Sequence, residues 1–571
     1  MSNLRNLLDA RVRTALAAAG APDALALVAA STRPEFGDYQ ANGCMAAAKQ
    51  LKRPPRDLAA AVVAGLQPDE LIASVEIAGP GFINIRLQDA WLARSAAATL
   101  AAPRASQEDS QRVVVDYSAP NLAKEMHVGH LRSTIIGDAM ARVLEHLGNE
   151  VIRQNHVGDW GTQFGMLITQ FVEVGANSTA VADLEDFYRA AAARFRDDEA
   201  FAHRARAAVV KLQSGDAVTR EYWQRFIDAS LSHCEAVYEL LGIGLSRTHL
   251  RAESAYNDLL QETIDALQAA GLLQASDGAL CVFLDEFKGK DGHPLPLIVQ
   301  KTGGGFLYAT TDLAAIRYRA TELQADRVLY FVDARQALHF RQVFAVARAA
   351  GFAPPDMLLE HCSFGSMLGA DGKPFKSRSG DTVKLVELLD EAQRRAAALL
   401  AERGDLDESS RAAVARAVGI GAVKYADLSK HRTNDYIFDW EQMLSFEGNT
   451  APYLQYACTR IHSIFRRAGV APASIAAGGR ERPLVAEERV LALQLARFAE
   501  TLDSVARESL PHYLCTYLYE LSGNFMKFYE HCPVLDGDAQ TRDGRLALCA
   551  ATLAVLTRGL ELLGIATVER M

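Results

Sequence analysis

The chain has no crowded cysteine framework. Its eight cysteines (Cys44, Cys234, Cys281, Cys362, Cys458, Cys515, Cys532, Cys549) are scattered, with no CxxC pair and no zinc-ligand spacing. Reduced thiols and no structural zinc are expected. The apolar run Leu546 to Thr557 falls short of the roughly 20 residues that a bilayer crossing needs. Asp9, Arg11 and Arg13 interrupt the apolar positions near the start of the chain, so no signal h-region forms there. The cytoplasm is the expected compartment, with no membrane partner. No GxxxxGK(S/T) loop and no strand-linked GxGxxG fingerprint occurs, which removes the P-loop and dinucleotide-binding classes. Positive charge is short as well: Lys and Arg total 60 against 70 Asp and Glu, a net charge of −10. That argues against indiscriminate nucleic-acid binding, although local basic patches, not total charge, set phosphate contacts.

What is present suffices for several packed domains, since 571 residues are 49% hydrophobic. Residues 1–105 carry helical patterns at the start and around Asn42 to Leu66, then a strand-like stretch, Ile72 to Leu87, broken by Gly79-Pro80-Gly81. This predicts a small α/β domain, followed by a polar link over 103–111. Residues 112–440 alternate apolar strand candidates, such as Val151 to Gln154 and Arg327 to Val332, with helices. The fold class is therefore α/β, a doubly wound, Rossmann-like parallel sheet with ligands expected beyond the strands' carboxyl ends. A charge-rich helical stretch over about 183–241 reads as an insertion with a solvated face. Residues 445–571 are all-α, with core stripes at Leu491, Leu495, Phe498 and Leu502 and at Leu553, Leu556, Leu560 and Leu563.

Chemistry concentrates in the run Pro120 to His130. Val113, Val114 and Val115 suit a buried parallel strand, Pro120 and Asn121 break it, and Leu131, Ile135, Ile136, Ala139, Val143 and Leu147 recur at helical spacing. His127 and His130 then share one helical face near free backbone N–H groups and the positive end of the macrodipole. Two imidazoles there can donate to phosphate oxygens while Gly129 lets a flat adenine or ribose approach the backbone. Attack at an α-phosphate is implied, unless both histidines merely decorate a helix end. A second run, Phe364 to Gly380, is a glycine-rich loop carrying Lys373, Lys376 and Arg378, cations able to follow charge onto a leaving pyrophosphate.

The first run resembles the HIGH signature of class I aminoacyl-tRNA synthetases. Asp116-Tyr117-Ser118-Ala119-Pro120-Asn121 and Gly158-Asp159-Trp160-Gly161-Thr162-Gln163-Phe164-Gly165 resemble arginyl-tRNA synthetases specifically, as do Glu76 to Leu87, Tyr453-Leu454-Gln455-Tyr456-Ala457 and Val568-Glu569-Arg570-Met571. The resemblance implies ATP-dependent ligation of L-arginine to its cognate tRNA through an arginyl-adenylate, with Mg²⁺ on the triphosphate, by a monomer. It implies ATP binding by Lys124, His127, Gly129 and His130, with His339 second in rank. Lys373, Lys376 and Arg378 would join Lys124 and the two histidines in catalysis. Lys-Pro-Phe-Lys-Ser-Arg does not align with the KMSKS pattern residue by residue, so which lysine carries the role stays open, and Lys124 is the compensating cation.

A guanidinium needs carboxylates for forked hydrogen bonds and a flat wall. By resemblance Asp116, Asn121, Tyr308, Asp312 and Gln336 line that site, and Asp312 also suits an N-cap before Leu313. Residues 1–105 would be the extension that touches the tRNA elbow, with Tyr39 and Gln40 either contacting RNA or forming a tight turn that caps a helix. Residues 445–571 would be the anticodon-binding bundle. Tyr453, Tyr456, Arg460, His462, Phe465, Arg466 and Arg467 interleave basic and aromatic groups suited to unpaired bases. Tyr453, Tyr456 and Met571 would approach the anticodon, or both tyrosines would sit in the bundle core.

Overall fold

The computed structural model describes residues 3–98, 110–175, 184–302, 304–375, 383–401, 407–475 and 483–571. They fall into two units, one of Met1–Ala105, Ser445–Glu561 and Ala566–Met571, the other of Ser106–Leu444 and Leu562–Ile565.

In the first unit, strands β1 (Val28–Ala30), β2 (Tyr39–Ala41), β3 (Ile72–Ala78) and β4 (Phe82–Leu87) form an antiparallel sheet in the order β1-β2-β4-β3. Gly79 and Gly81 turn β3 into β4 at positive φ, which is why that Gly-Pro-Gly interrupts the strand pattern. The rest of the unit is mainly helical: Ala451–Ala468, Ala486–Ala496, Phe498–Glu508, His512–His531 and most of Ala539–Leu562, together with Leu4–Ala18, Gly43–Leu51, Pro55–Gly65 and Asp89–Ala98. Thr450 caps the first of these by accepting from the Tyr453 N–H, and Gly469 ends it at positive φ. The leucine stripes are buried as expected.

The sequence separates the N-terminal and C-terminal modules, but ionic and hydrogen-bonded contacts join them in one unit. Arg489 forks onto Asp38 with two bonds of 2.8 Å and reaches Asp89 through Nε, also at 2.8 Å. Beside it the Tyr39 hydroxyl donates to Glu500 Oε2 at 2.8 Å, and Arg497 lies over the tyrosine ring while donating to the Asp38 carbonyl. Tyr39 is 0% exposed. This corrects the expectation of a base-stacking aromatic: the ring has no free face, because it packs inside the unit. Gln40 is half-buried, and its amide donates to Asn84 Oδ1 at 2.8 Å across to β4. The segment is a strand, not a helix-capping turn; Asn42 precedes the next helix without a side-chain cap bond.

The second unit is built on β5 (Arg112–Asp116), β6 (Glu150–Gln154), β10 (Arg327–Tyr330) and β11 (Leu358–His361), all parallel, in the order β11-β10-β5-β6. Between β6 and β10 the chain adds an antiparallel sheet of β7 (Leu273–Ser276), β8 (Ala279–Val282) and β9 (Leu297–Gln300); later β12 (Met367–Leu368) pairs with β13 (Tyr436–Ile437). Val113, Val114 and Val115 are fully buried, as a central strand covered on both faces requires. The Leu131–His146 helix crosses from β5 to β6 with nearly every residue buried. Gly137 permits this, since a Cβ there would lie 2.2 Å from Tyr117 Cβ. β6 lies on one side of β5 and β10 on the other, so the strand order reverses between β5 and β10. The helices Leu184–Asp197, Glu199–Gln213 and Ala217–Leu241 lie between β6 and β7 in the chain.

Lys424, on the Glu408–Leu428 helix, is fully buried and donates to the carbonyls of Leu241 (2.8 Å) and Gly564 (2.7 Å). Burial pushes its ammonium down to about 8, against the attraction of Asp138. All eight cysteines are buried, and none is in a disulfide. No helix of the described residues is long and apolar enough to cross a membrane.

Candidate active site

A cavity of about 990 Å³ opens at the carboxyl ends of the parallel strands. Asp116 reaches it from the end of β5 and Ser118 just after that strand, His156 and Gly158 after β6, Val332 and Asp333 after β10, and Phe364 and Ser366 after β11. It sits over the point where the strand order reverses, the position that open parallel sheets offer to ligands.

The chain leaves β5 through a strained turn. Ser118 and Ala119 adopt φ of 69° and 44°, a region that costs a residue with a Cβ about 1 kcal/mol or more. Side chains hold both in place: Ser133 Oγ accepts the Ser118 N–H and Asn155 Oδ1 accepts the Ala119 N–H, each at 2.9 Å. Asn121 follows. Its loop is fastened to the next one by bonds from the Leu122 N–H to the Gly158 carbonyl (2.9 Å) and from the Gly158 N–H to the Pro120 carbonyl (3.1 Å).

The histidine motif then forms a single 3-10 turn, Val128–His130, ahead of the long helix. The His127 N–H donates to His130 Nδ1 at 3.1 Å and the Gly129 N–H to His127 Nδ1 at 3.0 Å. A ring whose Nδ1 accepts must carry its proton on Nε2, so both neutral imidazoles offer an Nε2–H donor. Burial, and then the nearby Lys124 charge, hold His127 down at about 4; burial, His127 and Lys124 hold His130 at about 3. Both are neutral donors at physiological pH. The same bonds correct the expectation of free backbone N–H groups. The N–H groups of His127 and Gly129 bond the rings, Val128 bonds the Val383 carbonyl, and His130 bonds the His127 carbonyl. Imidazole N–H groups therefore stand where backbone N–H groups were expected. Gly129 serves this turn directly, because a Cβ there would lie 2.7 Å from His127 Cε1.

The glycine-rich run makes a tight hairpin, with the Gly369 N–H on the Lys373 carbonyl at 2.8 Å and Gly372 at positive φ. Pro374 and Phe375 line the cavity, whereas Lys373 is exposed on the turn and is not part of the lining. Lys376 and Arg378 lie outside the described residues. Where the chain is next described it is fastened to the histidine motif: Leu385 N–H bonds the Met126 carbonyl at 3.0 Å and Lys384 pairs with Glu125 at 3.1 Å.

The carboxylates gather in the same cavity. Asp116 is buried and accepts from Arg319 Nη2 at 2.6 Å, while Arg319 Nε donates to Gln154. Asp312 lies inside the Tyr308–Thr321 helix, whose N-cap is Leu307, so it does not cap that helix; Oδ2 bonds His339 Nε2 at 2.6 Å. His339, expected near ATP, is thus fixed to the proposed arginine carboxylate. Its ring also meets Tyr308 edge-on at 4.9 Å. Tyr308 is 65% exposed and Gln336 is exposed in the turn after Asp333; both line the cavity, as do Asn121 and Lys124. Sequence reasoning missed Arg319, His156, Gln163 and Glu253. His156 and Glu253 line the cavity from segments with no motif that singles them out, whereas Gln163 lies in the Gly158 to Gly165 run, which carries the family resemblance but was not read as part of the site.

In the first unit, Tyr453 and Tyr456 are half-buried on the Ala451–Ala468 helix. Tyr453 packs on Tyr519 at 5.7 Å, and the Tyr456 hydroxyl accepts from Arg460 at 2.9 Å, whose guanidinium also lies over its ring. Met571 is half-buried and Phe465 is in the core.

The chain matches the model for the class I (R) tRNA synthetase catalytic domain over residues 96–440, that for the DALR anticodon binding domain over 454–571, and that for the arginyl tRNA synthetase N-terminal domain over 4–87. It is 55% identical to the arginine–tRNA ligases of Cellvibrio japonicus and Alteromonas mediterranea, with 100% of each chain covered. Among solved structures it is similar to arginyl-tRNA synthetase from Plasmodium falciparum (TM-score 0.86, 28% identity) and from Thermus thermophilus (TM-score 0.81, 25% identity), again over 100% of both chains. With its parallel-sheet cavity, paired histidines and carboxylate-rich pocket, the chain belongs to the class I arginyl-tRNA synthetase family.

Proposed function

We infer that the chain ligates L-arginine to arginine tRNA in two steps, an in-line displacement at phosphorus and then an acyl transfer. The arginine carboxylate attacks the α-phosphorus of ATP and pyrophosphate leaves; a terminal ribose hydroxyl of the tRNA then attacks the acyl carbon and AMP leaves. One observation carries the reading at this site: a single cavity holds two imidazoles with protons on Nε2 and the acidic side chains Asp116 and Asp312.

His127 and His130 are assigned to the phosphates as neutral donors that need no change of protonation as charge moves toward pyrophosphate. Fixed donors of this kind act by preorganisation. Lys124 adds a cation beside them, and Lys373, Lys376 and Arg378 are assigned to the leaving group. Mg²⁺ is assigned to the triphosphate oxygens, where it would neutralise charge; among the described residues no group of three His, Cys, Asp or Glu side chains is placed to hold a metal. Asp116, Asn121, Tyr308, Asp312 and Gln336 are assigned to arginine, with Arg319 fixing the Asp116 carboxylate. Gln40, Tyr453, Tyr456 and Met571 are assigned to tRNA, in support of which the tyrosines are half-buried beside Arg460. The same reading has the enzyme working as a monomer in the cytoplasm, which sedimentation and fractionation would check.

The test is arginine-dependent ATP–pyrophosphate exchange with tRNA present. Exchange is expected with arginine and not with lysine or glutamine, and His130→Ala is expected to lower kcat about 10²–10³-fold, as loss of one preorganised donor does. Equal weakening of exchange and of tRNA binding by His130→Ala would refute the assigned role.

A further inference from the structure

Four carboxylates line the cavity: Asp116, Glu253, Asp312 and Asp333. Three are already claimed. Asp116 pairs with Arg319 at 2.6 Å, Asp333 with Arg335 at 2.7 Å, and Asp312 with His339 at 2.6 Å. Among the described residues, Glu253 has no ion-pair or hydrogen-bond partner for its side chain, and the charges that act on it most, Asp159 and Asp312, are negative.

The position of Glu253 is fixed. It opens the short 3-10 turn Glu253–Tyr256, and its N–H bonds the Val157 carbonyl at 3.1 Å. Ser254, next to it, anchors the turn through its N–H on Asp159 Oδ1 at 2.9 Å. His156, from the same loop as Val157, bonds the Arg251 carbonyl at 3.1 Å and stands 4.0 Å from Asp312. A largely buried carboxylate held beside two others, with no cation paired to it among the described residues, is a costly arrangement. A planar cation with five N–H donors completes it, and a compact ammonium does so less well.

We propose that Glu253 is a specificity-determining residue for the amino acid, its carboxylate taking one edge of the arginine guanidinium alongside Asp312. The proposal rests on the assignment of this cavity to arginine and adds a residue to it. It carries a consequence in pH. Burial, then Asp159 and Asp312, raise the Glu253 carboxyl to about 7. The charged groups that act on it are Asp159 and Asp312, and Asp312 in turn has His156 at 4.0 Å and His339 at 2.6 Å. Arriving guanidinium favours the carboxylate, so arginine binding near neutral pH releases a proton, and below that pH protons compete with arginine.

The experiment measures KM for arginine and kcat in pyrophosphate exchange from about pH 6 to about pH 8.5, with tRNA present, for the wild-type chain, Glu253→Gln and Glu253→Asp. Wild-type KM is expected to climb as pH falls below about 7, approaching tenfold per unit. Glu253→Gln should raise KM at about pH 8 roughly 10–100-fold, the range for losing a charge-assisted bond. It should leave kcat within about threefold and flatten the pH dependence, while Glu253→Asp retains part of both. Calorimetry of arginine binding to the wild-type chain, in two buffers of different ionisation heat at about pH 7, should show release of about half a proton. An unchanged KM and pH profile in Glu253→Gln, or no proton release, overturns the role of Glu253 and leaves the function standing. No arginine-dependent exchange by the wild-type chain at any pH would overturn the assignment of the cavity instead.

Discussion

At the scale of single residues, the histidine pair couples activity to folding through its protons. In the unfolded chain each imidazole takes a proton near pH 6.5, whereas in the folded site His127 does so only near 4 and His130 near 3. The unfolded state therefore binds more protons as pH falls below about 6.5, and the folded state loses stability through that window. Urea unfolding of the wild-type chain at pH values on either side of the window should show this loss. A His127→Gln/His130→Gln double variant should show a shallower one, and an identical slope in both proteins would sink the assignment. These residues were legible in the sequence because they sit on a local signature between a strand and a helix. Arg319 was not, because its meaning comes from Asp116, 203 positions away in the chain. Tyr39 was misread for the same reason. Its surroundings in sequence look like a polar turn, and what buries it are Glu500 and Arg497, 461 and 458 positions on.

At the scale of elements, the crossing of the Leu131–His146 helix over the end of β5 sets the site. The strained Ser118–Ala119 turn leaves β5 directly beneath this helix, and Ser133 on the helix holds the turn while donating to the Phe331 carbonyl at 2.6 Å after β10. A methyl group at Gly137 would meet Tyr117 at 2.2 Å and push the two apart. Gly137→Ala is expected to destabilise the second unit by about 1–3 kcal/mol, the usual cost of overpacking. It should also reduce exchange activity beyond what the lost folded fraction explains, because Ser118 and the histidine turn move with the helix. Thermal unfolding with activity measured on folded protein checks this, and full specific activity would show the helix position to be uncritical. The element pattern itself was readable: buried valines, the break at Pro120 and the helical spacing after Leu131 all appear in the fold. What spacing could not reveal was that the first turn of the motif is a 3-10 turn closed by its own histidines, since that depends on where two ring nitrogens fall.

At the scale of the whole molecule, the first unit joins the two ends of the chain through Arg489 and Asp38. The Asp38 side chain is 5% exposed, so Arg489→Ala strands a buried carboxylate. The expected cost is about 3 kcal/mol, the lower end for such a loss, because Arg489 itself is 18% exposed. Differential scanning calorimetry should show the first unit melting earlier while the second, which holds the cavity, melts as before; a shift confined to the second unit would contradict the partition. Arg489→Lys keeps the charge and loses the fork, and should fall between the two.

The clamp of Lys424 on Leu241 and Gly564 has a consequence for how the protein comes into being. Chains are made from the N-terminus, and domains tend to fold in that order as they emerge. The second unit takes 106–444 from the middle of the sequence and then four residues, Leu562–Ile565, from beyond the helices of the first. Until Gly564 has been synthesised, the Lys424 ammonium has one of its two carbonyls and a gap where the other belongs. On the ribosome, the second unit gains its bond from Lys424 to Gly564 only after residues 445–561 of the other unit have been made.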